Sequence, residues 1–87
     1  MQQLHIYRDH DFDIKFTGKL ISKISSKNAE ISLFLSDKNY YITQRKDADK
    51  CEAHICKSID EIIHFLGYDK LSKALYANAD IKYWIEA

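Results

Sequence analysis

The first two-thirds of the chain alternate apolar and polar positions with a period of two. Leu4 and Ile6 alternate with His5 and Tyr7, and Phe12, Ile14, Phe16 and Leu20 share a parity against Asp11, Asp13, Lys15 and Thr17. Ile31, Leu33 and Leu35 alternate with Ser32, Phe34 and Ser36; Tyr40 and Ile42 with Tyr41 and Thr43; Ala53 and Ile55 with His54 and Cys56. Successive side chains of a strand point to opposite faces, so these runs predict an antiparallel sheet of about five strands with one buried and one solvated face. The polar tetrad Ser36-Asp37-Lys38-Asn39 predicts a hairpin between the third and fourth runs, with Asn39 suited to positive φ. Gly18 stands just before the parity slips from Leu20 to Ile21, and a β-bulge accounts for the slip. Arg45-Lys46-Asp47-Ala48-Asp49-Lys50 is almost wholly polar and reads as an exposed loop.

The period changes at Ser58. Ser58-Ile59-Asp60-Glu61 has the form of a capping box, Ile59, Ile62, Ile63 and Leu66 recur at helical spacing, and Gly67 suits the position after the helix. Asp69 is placed to cap a second short helix with the stripe Leu71, Ala74 and Leu75, ending near Asn78 with Asn78-Ala79-Asp80 as exit turn. Ile81, Tyr83 and Ile85 alternate around Lys82 and Trp84 and predict a closing C-terminal strand. Strands first, one or two short helices packed on one face, and a late strand make residues 1–87 a single α+β domain.

Composition narrows the class. Apolar residues make up 46% of the chain and charged residues 30%, a globular balance, and there are no prolines and only two glycines to mark linkers. No apolar run approaches the roughly 20 residues of a membrane span, and the start of the chain lacks the pattern of a secretory signal. The expectation is a cytoplasmic protein with two reduced thiols, Cys51 and Cys56, and no membrane contact. The formal net charge is zero, but Lys15, Lys19, Lys23, Lys27, Lys38, Arg45 and Lys46 face only Glu30 and Asp37 between residues 14 and 46. A basic middle between acidic ends steers charged partners.

Candidate chemistry is sparse. Asp9, Asp11 and Asp13 open like a calcium loop, but Ile14 and Leu20 stand where its glycine and distal glutamate belong. Cys51, His54 and Cys56 have one short knuckle spacing without a second ligand pair, and on one strand the two thiols face opposite sides. No glycine-rich phosphate loop or nucleophile–histidine–acid spacing occurs. The expectation is a protein without metal, cofactor or enzymatic activity. What remains is a set of aromatics, Tyr7, Phe34, Tyr41 and Trp84, on the nominally polar parity of their strands. With Arg45 and Lys15 placed on the same face, Phe34, Tyr41 and Trp84 form a candidate partner-binding surface, since aromatics and arginine are enriched at binding hot spots. The alternative is a nucleic-acid surface made of Lys19, Lys23, Lys27, Lys38 and Lys46.

Several strings carry a resemblance: Gly18-Lys19-Leu20-Ile21, Leu33-Phe34-Leu35, Tyr40-Tyr41-Ile42-Thr43, Cys56-Lys57-Ser58-Ile59-Asp60-Glu61-Ile62-Ile63, Leu66-Gly67 and Lys73-Ala74-Leu75-Tyr76. Together they resemble small uncharacterised proteins of phages, plasmids and other mobile elements. Such elements concentrate single-domain inhibitors of host defence, anti-CRISPR proteins among them. The resemblance therefore implies, by association, an inhibitor or adaptor that binds a host nuclease or CRISPR effector complex. A domain this small also has reason to form a homodimer.

Overall fold

The computed structural model describes residues 2–86. Five antiparallel strands follow one another in a meander, β1 (Gln2–Ile6), β2 (Ile14–Ser25), β3 (Ala29–Ser36), β4 (Tyr41–Asp47) and β5 (Lys50–Cys56), in the spatial order of the sequence. Helices α1 (Ile59–Leu66) and α2 (Lys70–Asn78) complete the α+β fold. The β3–β4 hairpin turns as its sequence predicts: Asn39 N–H donates to Ser36 O at 3.0 Å and Asn39 takes φ 65°. The bulge also falls where the parity slips, the β2–β3 register shifting between Leu20 and Ser22.

The sheet has two buried faces rather than one. Ile31 and Leu33 of β3, with Cys56 of β5, pack against Ile62, Leu66, Leu75 and Tyr76 of the helices. On the opposite face Ile6, Ile14, Ile42 and Ala53 form a second cluster, with Phe16 and Phe34 packed on it. That cluster joins β1 to β5, the two ends of the strand order, so the sheet is curled around it. Asp9 N–H donates to Cys51 O at 3.5 Å, and Arg8 Nη1 donates to Ala53 O at 3.3 Å, tying the segment after β1 to the far edge of the sheet. A curled sheet buries its inner face by itself, while the helices cover the outer one. The clean division into a buried and a solvated face expected from the alternation therefore gives way to two apolar faces.

Three expectations are corrected. The polar stretch from Arg45 to Lys50 is mostly ladder, with only Ala48 and Asp49 between β4 and β5; Arg45 stands opposite Glu52 and Asp47 opposite Lys50. Opposite charges across the strands support pairing that polarity alone obscures. The inward side of α2 runs through Ser72, Leu75 and Tyr76, while Ala74 is exposed. Residues 81–86 form no closing strand: Ile81 is buried in the helix-side core and Tyr83 packs on it, but the segment has no ladder partner among the described residues.

Both helices start as their residues dictate. Ser58 Oγ accepts from Glu61 N–H at 3.3 Å, and the Glu61 carboxylate accepts from Lys57 N–H. Asp69 Oδ1 accepts from Ser72 N–H at 2.8 Å, capping α2. Thr43, on the helix side of β4, is fully buried, and among the described residues its hydroxyl has no well-formed hydrogen bond, only the weakly accepting and donating Cys56 thiol nearby. An unpaired buried hydroxyl costs about 1–3 kcal/mol, so Thr43→Val should raise the denaturation midpoint; a lowered midpoint would show that the hydroxyl is satisfied.

Candidate functional site

The ladder registers decide which side each expected site residue takes. Leu35 stands opposite Tyr41, and Phe34 opposite Ile42. Tyr41 is therefore on the helix side, half-buried against the helix-side core, whereas Phe34 is on the inner side, edge-on to Phe16 with ring centroids 5.5 Å apart. The assignment of Phe34 and Tyr41 to one exposed face is corrected: they lie on opposite faces, and neither is free. Alternation puts Leu35 and Ile42 on one apolar parity, whereas the β3–β4 ladder sets them on different sides of the sheet. Each aromatic fills space beside a core, so Phe34→Ala and Tyr41→Ala should each cost about 1–2 kcal/mol of stability, less than a fully buried aromatic. Thermal denaturation checks this; unchanged melting would return both rings to the free surface.

Arg45 is engaged within the molecule. Its Nη1 donates to Asp69 Oδ2 at 2.8 Å, its Nε lies 3.3 Å from Asp47 Oδ2, and its side chain is 24% exposed. Burial opposes the charge of Arg45, but the Asp69 and Asp47 carboxylates outweigh it and hold the guanidinium pKa above its usual value. Burial likewise works against the Asp69 carboxylate, yet hydrogen bonds from Ser72 and Arg45 bring its pKa below the ordinary range. Arg45 thus fastens the start of α2 to β4, which corrects its placement as a free rim residue.

Lys15 and Trp84 do remain exposed, Lys15 on β2 opposite His5 and Trp84 on the C-terminal segment, edge-on to Tyr83. The five lysines of the nucleic-acid alternative do not form one track. Lys19 and Lys23 fall on opposite faces of β2 because the bulge separates them, and Lys38 sits in the β3–β4 turn. Lys27 lies between β2 and β3, and Lys46 stands opposite Glu30, which also pairs with Lys23 at 3.6 Å.

Cys51 and Cys56 face opposite sides as expected, and no cluster of metal-binding side chains occurs among the described residues. Cys56 is buried, and burial pushes its thiol up to about 11, away from the thiolate that nucleophilic chemistry needs. His54 stacks on Phe65 with ring centroids 4.0 Å apart, and desolvation lowers its pKa from 6.5 despite the pull of Glu52. A lowered folded pKa makes His54 contribute stability that is complete above pH 6.5 and lost as pH falls through its folded value. The melting temperature should therefore drop between pH 7 and pH 5, and His54→Phe, which keeps a ring against Phe65, should flatten that drop; an equal slope in both proteins would contradict it.

The inner face of the curl opens to solvent as a cleft of about 400 Å³ whose floor includes Ile14, Phe16 and Ile42. Its polar rim includes Lys15, Asp37 and Lys38.

Strand length exposes a different feature. β1 pairs only with Ile14–Gly18 of the longer β2. From Lys19 to Ser25, β2 is bonded to β3 on one side and, among the described residues, to no strand on the other. On this open edge Leu20 is 49% exposed and Ile21 is 36% exposed, while Ser22 is held from behind by Asn78 Nδ2 at 2.9 Å. The alternation picked out the bulge but not the open edge. The clue was the inequality of the runs, a short β1 beside a β2 long enough to outreach it.

Comparison with known proteins gives no matching family model, no similar curated protein and no similar solved structure.

Proposed function

We propose that this chain is a non-enzymatic protein-binding module, an inhibitor or adaptor whose contact surface is the open half of β2. The observation that carries the reading is the edge from Lys19 to Ser25, which has no partner strand among the described residues and carries the exposed Leu20 and Ile21. Folded monomers usually shorten, cover or charge such an edge, because its free N–H and C=O groups invite pairing. Here the edge carries lysines, which discourage indiscriminate pairing, but keeps two large apolar side chains in water. Lys15, farther along β2, and the exposed Trp84 are further contact candidates. A host defence complex, such as a nuclease or CRISPR effector, is the partner to test first, on the strength of the resemblance to mobile-element proteins.

Capture from a host extract, followed by mass spectrometry, tests this reading when wild type is compared with Leu20→Ser/Ile21→Ser. The variant should fold normally and lose the captured protein. Retained capture by the variant, or capture that requires Trp84 alone, would move the surface elsewhere. Binding to a random-sequence oligonucleotide that falls steeply with salt would favour the nucleic-acid reading through the lysines instead.

A further inference from the structure

The charge along the open edge says what kind of segment it admits. Between Asp13 and Glu30 every charged residue is a lysine: Lys15, Lys19, Lys23 and Lys27. Of these only Lys23 has an ion-pair partner among the described residues, Glu30 at 3.6 Å, and Lys19 and Lys23 flank Leu20 and Ile21 on the edge itself. A second copy of the chain, paired edge to edge, would bring two lysine-bearing edges without a single carboxylate between Lys19 and Ser25 along one seam, adding like charge instead of answering it. A neutral apolar strand would leave the lysines unanswered. We infer, building on the protein-binding reading above, that the natural occupant of the β2 edge is an extended, acidic segment of a partner protein, added to the sheet beside Lys19–Ser25.

The backbone supplies affinity in such an arrangement, because strand addition pairs main-chain groups whatever the sequence, and side chains supply selection. Leu20 and Ser22 fall on opposite faces, so the docked segment meets an exposed apolar side chain on the inner side and α2 on the outer. The bulge swaps the faces of Lys19 and Lys23, so carboxylates on both faces of the incoming segment find a cation. Beyond Gly18 the edge is taken by β1, whose first paired residue, Gln2, stands opposite Gly18. The docked segment therefore lies end to end with β1 and has about seven residues of β2 to pair with, roughly the length of an ordinary strand.

Synthetic decapeptides test this on the full chain. One alternates valine with glutamate, one valine with lysine, and a third is the glutamate peptide with alternate amides N-methylated. The glutamate peptide should perturb the backbone amide resonances of residues 19–25, and its affinity should fall between about 50 and about 300 mM salt as the lysines are screened. The lysine peptide and the N-methylated peptide should bind at least about tenfold more weakly, the first for want of charge complementarity and the second for want of strand pairing. Lys19→Glu/Lys23→Glu should reverse the preference between the two unmethylated peptides. Equal binding of the glutamate and N-methylated peptides, equal binding of the glutamate and lysine peptides, or shifts confined to Trp84 and the helices would overturn the inference. So would a 20-nucleotide single strand that shifts residues 19–25 while the glutamate peptide does not. If these peptides fail but Leu20→Ser/Ile21→Ser still abolishes protein capture, the protein-binding reading stands and only the acidic character of the partner falls.

Discussion

Replacing Tyr76 by alanine is expected to destabilise the fold by about 3–5 kcal/mol, the range for emptying the site of a buried aromatic. Tyr76 is the largest of the fully buried side chains, and it packs in the cluster that joins α1 and α2 to β3. Its hydroxyl donates to Gly67 O at 2.6 Å, closing the turn between the helices, and burial pushes its pKa up to about 12. A small domain has only about 5–15 kcal/mol of stability in all, so the alanine variant should be close to unfolded at physiological temperature. Tyr76→Phe removes the hydrogen bond and keeps the packing, and should cost about 1–2 kcal/mol. Urea denaturation of both variants separates the two contributions. Equal losses would show that the hydrogen bond, not the packing, holds the helices to the sheet.

Gly18→Ala should be nearly as damaging for its size, at roughly 2–3 kcal/mol, the upper part of the range for overpacking. A Cβ at Gly18 would stand 2.4 Å from Leu35 O and 3.0 Å from Ser36 Cα, both backbone atoms of the neighbouring strand. Backbone within a ladder cannot swing aside as a flexible side chain can, so β2 and β3 must separate where Asp37 N–H donates to Thr17 O at 2.8 Å. Gly67, which has φ 81° and open space around its missing Cβ, presents the opposite case of conformational strain without a clash. Urea midpoints for Gly18→Ala and wild type measure the effect, and a variant as stable as wild type would show that the two strands approach less closely.

The elements whose signals are local were legible in the sequence. Ser58 and Asp69 cap helices because their side-chain oxygens reach amides three residues on, and Asn39 turns the hairpin because it accepts a left-handed backbone. What depends on the curvature of the sheet was not legible. Alternation shows that side chains take two sides but not that both sides are covered, so Ile42 and Leu33 could not be given to different cores without the β3–β4 register. Tyr76 carries no such signal, because it neighbours Leu75 on the buried side of α2, one position away from the stripe through Leu71 and Ala74. Arg45 shows the same limit from the charged side. Its partner Asp69 lies 24 residues away, and no spacing rule joins a strand residue to the cap of a helix that crosses it. The open edge of β2 was half-visible, as a run too long for the strand beside it.

Amide hydrogen exchange on the protein bound to its captured partner tests the central claim most directly, since exchange reports which backbone groups gain hydrogen-bond protection. Exchange at residues 19–25 should slow markedly on binding, while that of Ile14–Gly18, already covered by β1, stays as it is in the free protein. Protection that appears around Trp84 or the helices, with residues 19–25 exchanging as fast as before, would contradict a partner strand on the edge of β2.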